Sequence, residues 1–456
     1  MNASKKKAEQ VITEPSRKIP VYGNYDVIVC GGGPAGIASA VAAARNKTKV
    51  LLIEQTGALG GMAAGGLVPC FCPYSNSKTP LISGIGFEIL ERLKIKNGVG
   101  KDVNSINWVA IDSEKLKTVC DDLVQANKIS LLLFSSAVNI IKKKNQINGI
   151  VIENKSGRSA VLAQMFIDAT GDADIAFHAG AEYEKGGIRG ELQPATLCCY
   201  VSGIRHQMFF QYLKKTGGNF RFTSFLREEE TKGKIKKIPG AEYRLMAVKE
   251  IQSNLIGFNF GHIFSVDGTK TEDQTKAMVT GRRLLHEFIA YARKNIPGCG
   301  DARIVSTGSL PGIRETRRLR GKYQLTADDF THARSFPDNI AVYAYPIDVH
   351  NANRSTREVN RIKNEFESTS PGPGRYYGIP FRSLMTNDIS NLLIAGRSVS
   401  ADRQMHGSVR VMPACFAMGQ AAGTAAALCV KYKTIPENLD IALLQRQLVR
   451  QGARIK

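Results

Sequence analysis

A chain of 456 residues exceeds what one core of ordinary size holds, so two interleaved domains are expected. Hydrophobic residues make up 43% and charged residues 22%, ordinary for a globular protein. The formal charge of +22 raises nucleic acid or an anionic membrane, yet the short basic runs at 5–7, 142–144 and 232–237 carry no interleaved aromatics, so a solvated basic surface is expected and a nucleic-acid partner is disfavoured. Nine cysteines without framework spacing are read as reduced thiols, and neither Cys70-Phe71-Cys72 nor Cys198-Cys199 has the partners of a zinc site.

In chain order, residues 1–24 are polar, lack the apolar stretch of a signal peptide, and read as a flexible arm, which sets a cytoplasmic expectation. The run YDVIVC at 25–30 predicts a buried strand, GGGPAG at 31–36 a turn, 37–45 an Ala-rich helix, and 50–53 a second buried strand. GALGGMAAGG at 57–66 is a second Gly-rich segment. Residues 82–94 and 112–127 predict helices. Residues 131–141 and 147–153 predict strands of a meander, with Asn148-Gly149 and Ser156-Gly157 at turns. MFIDA at 165–169 predicts another buried strand, running into Thr170-Gly171-Asp172. From 183 to 385 the pattern mixes and reads as an inserted domain, with a loop at 367–376. A buried strand returns at 392–395, and the Ala-rich stretch 411–430, broken by Pro413, Gly419, Gln420 and Gly423, predicts a buried helix rather than a membrane span. The expected organisation is therefore an arm at 1–24, a nucleotide-binding domain from 25–182 and 386–456, and a substrate domain at 183–385.

Chemistry begins at Gly31-x-Gly33-x-x-Gly36, set between strand and helix. The first Gly permits the tight turn, the second lets a pyrophosphate approach the backbone, and the third lets helix and strand close up. Anion binding then follows from the free N–H groups and dipole of the helix start, at Pro34 and Ala35. Glu54 closes the second strand 21 residues after Gly33, where a ribose hydroxyl would be bound, with Gln55 beside it. This motif alone leaves two dinucleotides open. Two further segments separate them: Asp168-Ala169-Thr170-Gly171-Asp172 at a strand end, and Gly396-Arg397 near the C-terminus.

With those segments, the chain resembles the large FAD-dependent oxidoreductase superfamily of glutathione-reductase-like and succinate-dehydrogenase-like flavoproteins. It is most similar to the bacterial FAD-dependent oxidoreductase family of mostly unassigned substrate. The resemblance spans nearly the whole chain, through YDVIVCGGGPAG at 25–36, LLIEQTGALGGM at 51–62, IDATGDAD at 167–174, GIRETRRLRGKYQLTADD at 312–329, YPIDVH at 345–350 and GSVRVMPACFAMGQAAGTAAA at 407–427. It implies an α/β fold, a three-layer FAD/NAD(P)-binding Rossmann-type domain with an inserted α+β substrate domain. It also implies non-covalent FAD and hydride transfer to or from a small organic substrate, and the Arg content fits a polar substrate, an anionic one included.

Residue by residue, the resemblance implies that Gly31, Gly33, Pro34, Ala35 and Gly36 bind the pyrophosphate, Glu54 and Gln55 the adenosine ribose, and Val138 the adenine through its backbone. It places Ala169, Thr170, Gly171 and Asp172 over the ribityl side, and Gly60, Gly61, Met62, Gly396 and Arg397 beside the flavin. Arg410, Val411 and Met412 open a helix whose N-terminus would favour negative charge on the flavin. Covalent variants attach flavin to a His or Cys near the second Gly-rich segment; residues 55–66 hold neither, and Cys70 and Cys72 are read mostly as buried thiols.

On the substrate side, His350 in YPIDVH is a candidate proton acceptor at a strand end, with Asp348 to orient it. Arg314 either clamps an anion or pairs internally with Glu315 or Asp348. His406 is a second catalytic candidate. An RNA-directed flavoprotein is the rival reading, motivated by charge alone, and an electron-transfer subunit acting with a partner is a third. The electron acceptor and any homo-oligomer stay open.

Overall fold

The computed structural model describes residues 11–352 and 374–456. The start of the expected arm, the basic run 5–7 and residues 367–373 of the expected loop lie outside the described residues.

The larger sheet has parallel strands in the order Ser130–Leu132, Val50–Ile53, Val21–Cys30 and Gly157–Asp168. On the far edge, Gly157–Asp168 is shared. Its first half pairs with the antiparallel hairpin Gln146–Asn154 and Ser136–Lys143, and its last residues pair in parallel with Leu392–Ile394. The inner strands are buried on both faces, which is why they read as unbroken apolar runs.

Two helices cover one face. Pro34–Arg45 follows the first strand, and Met412–Tyr432 lies against it. They touch backbone to backbone: a Cβ at Gly419 would sit 2.2 Å from the Ala35 carbonyl oxygen, and one at Gly423 would sit 2.0 Å from that of Ser39. The Ser39 hydroxyl donates across this contact to the Gly419 carbonyl at 3.0 Å. Met412–Tyr432 is long and apolar enough to cross a membrane, and 89% of its most apolar window is buried inside the protein.

A second, antiparallel sheet runs Ala241–Gln252, Leu255–Ile263, Cys199–Ser202, Arg303–Thr307. Helices His206–Lys215, Gly218–Thr231 and Thr271–Asn295 close its core, where Phe260 and Phe288 stack at 4.3 Å.

Four expectations are corrected. The first strand begins at Val21, because the nominal arm residues Val21–Asn24 pair with Ala160–Leu162. The strand expected at 131–141 is two strands, interrupted where Phe134 takes a positive φ of 51°. Asn148-Gly149 lies inside a strand and the hairpin turns at Lys144 and Asn145. Gly149 is needed for contact, since its Cβ would meet the Leu162 side chain at 2.7 Å. Finally, the second core spans only Ala195 to Ala302 with a few flanking side chains. The hairpin Asn339–Tyr343 and Tyr377–Pro380 packs into the first core instead, against the long closing helix.

Candidate functional site

The glycines of the first turn divide by physical role. Gly31 has φ 101°, and a Cβ there would lie 2.4 Å from the Ala169 carbonyl oxygen. At Gly36 a Cβ would lie 1.7 Å from the Gly31 carbonyl oxygen. Both are demanded by the chain itself. Gly33 is different. Its backbone is extended, with φ −77° and ψ −172°, and a Cβ there would approach only Gly61 Cα, at 3.8 Å. The space above it is kept by a second glycine, whose own Cβ would lie 2.8 Å from Gly33 Cα. Gly60, at φ 106°, donates to the Gly32 carbonyl at 2.9 Å and leads into the turn Gly61–Ala63, which contains Met62. The helix after Gly33 opens with Pro34 and Ala35, and no acidic residue stands in its first turn. A bare backbone cradle facing an unopposed helix start fits a pyrophosphate.

The neighbouring groups agree. The buried Glu54 carboxylate accepts from the backbone N–H of Gly32 at 2.6 Å and of Thr56 at 2.7 Å, with Gln55 exposed between them. On the hairpin, Ala137 pairs with Ile152 and Asn139 with Val151, so Val138 is the extra residue of a bulge. A bulge frees backbone groups from the ladder, which suits adenine recognition through the main chain.

Asp168 builds the next turn. Fully buried, it accepts from Thr170 N–H at 3.1 Å, Thr170 hydroxyl at 2.7 Å and Ala176 N–H at 3.0 Å, and burial pushes its carboxyl up to about 6. Arg397, just after Gly396, is spent on this turn. Its Nε donates to the Gly171 carbonyl at 2.8 Å, Nη2 to the Asp172 carboxylate at 2.6 Å, and Nη1 to the Ile313 carbonyl at 2.7 Å. It ties the cofactor domain to the segment that carries Arg314. His406 is fully buried, with Nε2 2.7 Å from the Arg397 carbonyl oxygen. That contact ties His406 to Arg397, and its buried Nδ1 has no hydrogen-bond partner among the described residues.

The substrate-side residues meet where the second sheet approaches the start of the closing helix. His350 is not at a strand end: the strand stops at Tyr343 and an irregular segment follows. That segment brings His350 Nε2 to 3.1 Å from Asp348 Oδ1. Arg410, immediately before the closing helix that Val411 caps and Met412 begins, donates to the Asp348 carbonyl at 3.0 Å and lies 3.5 Å from its carboxylate. Arg314 makes no ion pair among the described residues. It donates to the Pro194 carbonyl at 2.6 Å and to Met246 sulfur at 2.7 Å. Glu315, its expected alternative partner, is taken by Arg403 at 3.0 Å and Gln193 N–H at 2.7 Å.

Three members of the group were not anticipated from the sequence. His262, on a second-sheet strand, lies with its ring 5.0 Å from that of His350. Gln193 accepts from the His350 N–H at 2.9 Å. Arg244 is buried on strand Ala241–Gln252, two residues beyond Glu242, which is the register partner of His262. A charged residue inside an otherwise apolar, buried run (AEYRLMAV) was the available signal for Arg244.

The electrostatics follow from burial and from crowded cations. Burial, then Arg410, lowers the Arg314 guanidinium to about 9. Burial and Arg314 lower His350 to about 4, and burial, then His350, lowers His262 well below its ordinary value. Burial works to raise Asp348, but His350, Arg410 and Arg314 overcome it and hold its carboxyl well below the usual range. Gln193 Nε2, His262 Nε2, His350 Nδ1, Asn351 Nδ2 and Arg410 Nε are buried with no hydrogen-bond partner among the described residues. Cys70 and Cys72 are protonated thiols. Burial pushes Cys70 up to about 11 and Cys72 higher.

Comparison with known proteins follows the same lines. The model of the family described as FAD dependent oxidoreductase matches residues 26–448. The soluble pyridine nucleotide transhydrogenase of Chromohalobacter salexigens is 25% identical over 198 residues, 40% of this chain and 39% of that protein. The tRNA uridine 5-carboxymethylaminomethyl modification enzyme MnmG of Campylobacter fetus is 29% identical over 199 residues, 41% of this chain and 30% of that protein. The chain thus matches well under half the length of either relative. Among solved structures, a geranylgeranyl bacteriochlorophyll reductase-like protein from Thermoplasma acidophilum is 13% identical with a TM-score of 0.48, covering 95% of this chain and 85% of that one.

Proposed function

We propose a substrate class and a proton route for a chain that belongs to the FAD dependent oxidoreductase family: it moves a hydride between non-covalently held FAD and a small organic anion, with His350 exchanging the proton. The observation that carries this reading is the buried group of unpartnered donors and acceptors around His350, Arg314 and Arg410. Buried polar atoms are normally satisfied, and a cluster left unsatisfied is a cluster reserved for a ligand.

Bound FAD supplies the two-electron acceptor or donor. The protein side of the chemistry belongs to this chain's residues. Asp348 accepts from His350 Nε2, which fixes the tautomer and leaves the buried Nδ1 with a lone pair. Nδ1 is then the base for a substrate O–H or N–H proton when substrate is oxidised, and its N–H is the donor in the opposite direction. Asp348 compensates the imidazolium, and Arg410 holds Asp348 by main chain and side chain. Arg314, with part of its fork anchored, presents a desolvated cation to the substrate anion. Non-covalent attachment is supported by the absence of His and Cys from residues 55–66 and by the raised Cys70 and Cys72 thiols.

The test is an anaerobic screen of hydroxy acids, amino acids, sugars and amines for bleaching of the flavin band. An anionic compound is expected to bleach it. His350→Gln is expected to slow that bleaching by about 100- to 10,000-fold, the usual range for general acid–base catalysis, at unchanged FAD content. Bleaching by neutral compounds alone, or an undiminished rate in His350→Gln, overturns the proposal.

A further inference from the structure

Phe134 points to a feature of the cofactor site, independently of the substrate reading above. It is 69% exposed, and its backbone takes a φ of 51°, a left-handed conformation that glycine and asparagine adopt at little cost and a bulky aromatic residue rarely does. The chain is pinned to hold it there. Phe134 N–H donates to the Thr56 carbonyl at 3.1 Å, and Ser135 N–H to the Glu54 carbonyl at 3.0 Å. The ring then reaches over Gly57. A Cβ on that residue would lie 2.4 Å from Phe134 Cζ and 2.7 Å from Cε1, and the three atoms nearest to it all belong to this ring. Gly57 is not at positive φ, so its missing side chain serves the ring and not a turn of its own.

A single exposed apolar side chain signifies nothing by itself. Here three costs coincide: an apolar face left in water, an unfavourable backbone, and a glycine given up to seat the ring. They fall at the expected adenosine end of the cofactor. Glu54, where the ribose hydroxyl is expected, is the residue whose carbonyl holds Ser135. Four residues after Phe134, the bulge at Val138 frees main-chain groups from the ladder. Adenine is bonded directly to that ribose. It has two apolar faces and a polar edge, so it is matched by a flat ring together with main-chain donors and acceptors. We infer that Phe134 is the stacking platform for the adenine of FAD, and that Gly57 is bare in order to seat it.

The experiment strips FAD from the full chain and titrates FAD and ADP back by fluorescence quenching and calorimetry, because adenine is common to both. Phe134→Asn tolerates the same backbone conformation and removes the ring. It is expected to weaken FAD and ADP by the same factor, about 5- to 150-fold, the usual return from one base stacked on an aromatic side chain, while the apo-protein melts no lower than the parent. Phe134→Tyr is expected to keep parental affinity. Gly57→Ala should displace the ring and weaken FAD in the parent, yet add nothing in the Phe134→Asn background, where the ring its methyl group would meet is gone. Every readout is taken without substrate, so failure here leaves the His350 reading untouched. Parental FAD affinity in Phe134→Asn, a loss with FAD but not with ADP, a lower apo melting temperature, or additive effects of the two substitutions overturns the inference. So does a Phe134→Asn chain that changes its association state at unchanged FAD affinity, which would make the ring a contact between copies of this chain.

Discussion

Replacing Gly33 with Ala separates a glycine kept for a ligand from one kept for the fold. At Gly33 the backbone is extended and the nearest atom to a new Cβ is Gly61 Cα at 3.8 Å, ordinary van der Waals contact. The folded chain therefore accepts Ala without strain. Removing a glycine stiffens the unfolded chain, worth about 0.4–1 kcal/mol, and a poorer N-cap costs a similar amount, so apo-protein stability should stay within ~0.5 kcal/mol of the parent. The methyl group, however, occupies the approach to the N–H groups at the helix start. Losing one charge-assisted contact there costs about 1.5–3 kcal/mol, or roughly 10- to 100-fold in FAD affinity. At Gly36 the same change places a Cβ 1.7 Å from a backbone oxygen, so that variant should lose the fold itself. The assay strips FAD, compares apo-protein melting, and titrates FAD back by fluorescence quenching. A Gly33→Ala protein that reloads FAD with parental affinity refutes the assignment of the cradle, as does one whose apo form is as damaged as Gly36→Ala.

Three other outcomes follow from the geometry. Gly419→Ala, with its Cβ 2.2 Å from the Ala35 carbonyl oxygen, must push two helices apart and should cost about 1–3 kcal/mol in urea unfolding. Asp168→Ala leaves the N–H groups of Thr170 and Ala176 without their acceptor, at about 1–3 kcal/mol each, and should both lower the urea midpoint and speed FAD release. For pH, His350 titrates near 4 when folded and near its ordinary 6.5 when unfolded, so the unfolded chain binds the extra proton between those values. Stability should fall as pH drops through that window, catalysis in the oxidative direction should be lost only near pH 4, and His350→Gln should flatten the first of these slopes.

The cofactor half was legible in the sequence because its residues are local and their constraints are steric. A glycine whose Cβ would fall 1.7 Å from a carbonyl oxygen leaves a mark no other residue can replace, and Glu54 follows at a spacing set by one helix and two strands. The substrate half was only partly legible. His350 and Arg314 stood out as residue types, but Asp348 reaches His350 through an irregular segment, not through strand alternation. Arg244 and His262 join them through the packing of a separate sheet, which no local spacing encodes. The extent of the second core was misread for a related reason. The hairpin Asn339–Tyr343 and Tyr377–Pro380 carries no motif, and its place under the closing helix is decided by which apolar face was left uncovered.

The same division explains why the site lies where it does. The cofactor half is stabilised by close contact of backbone on backbone, at Gly36, Gly419 and Gly423, and has little freedom to vary. The substrate half combines side chains from the second sheet with Asp348, His350 and Arg410 on the first core's side. Arg314 and Arg410 repel there, and Asp348 opposes them. On the proposed reading, a site that destabilises its own empty state gains that energy back when an anion enters, so the repulsion between Arg314 and Arg410 becomes affinity for a charged substrate. The large apolar cores on either side are what allow the empty protein to carry this cost and stay folded.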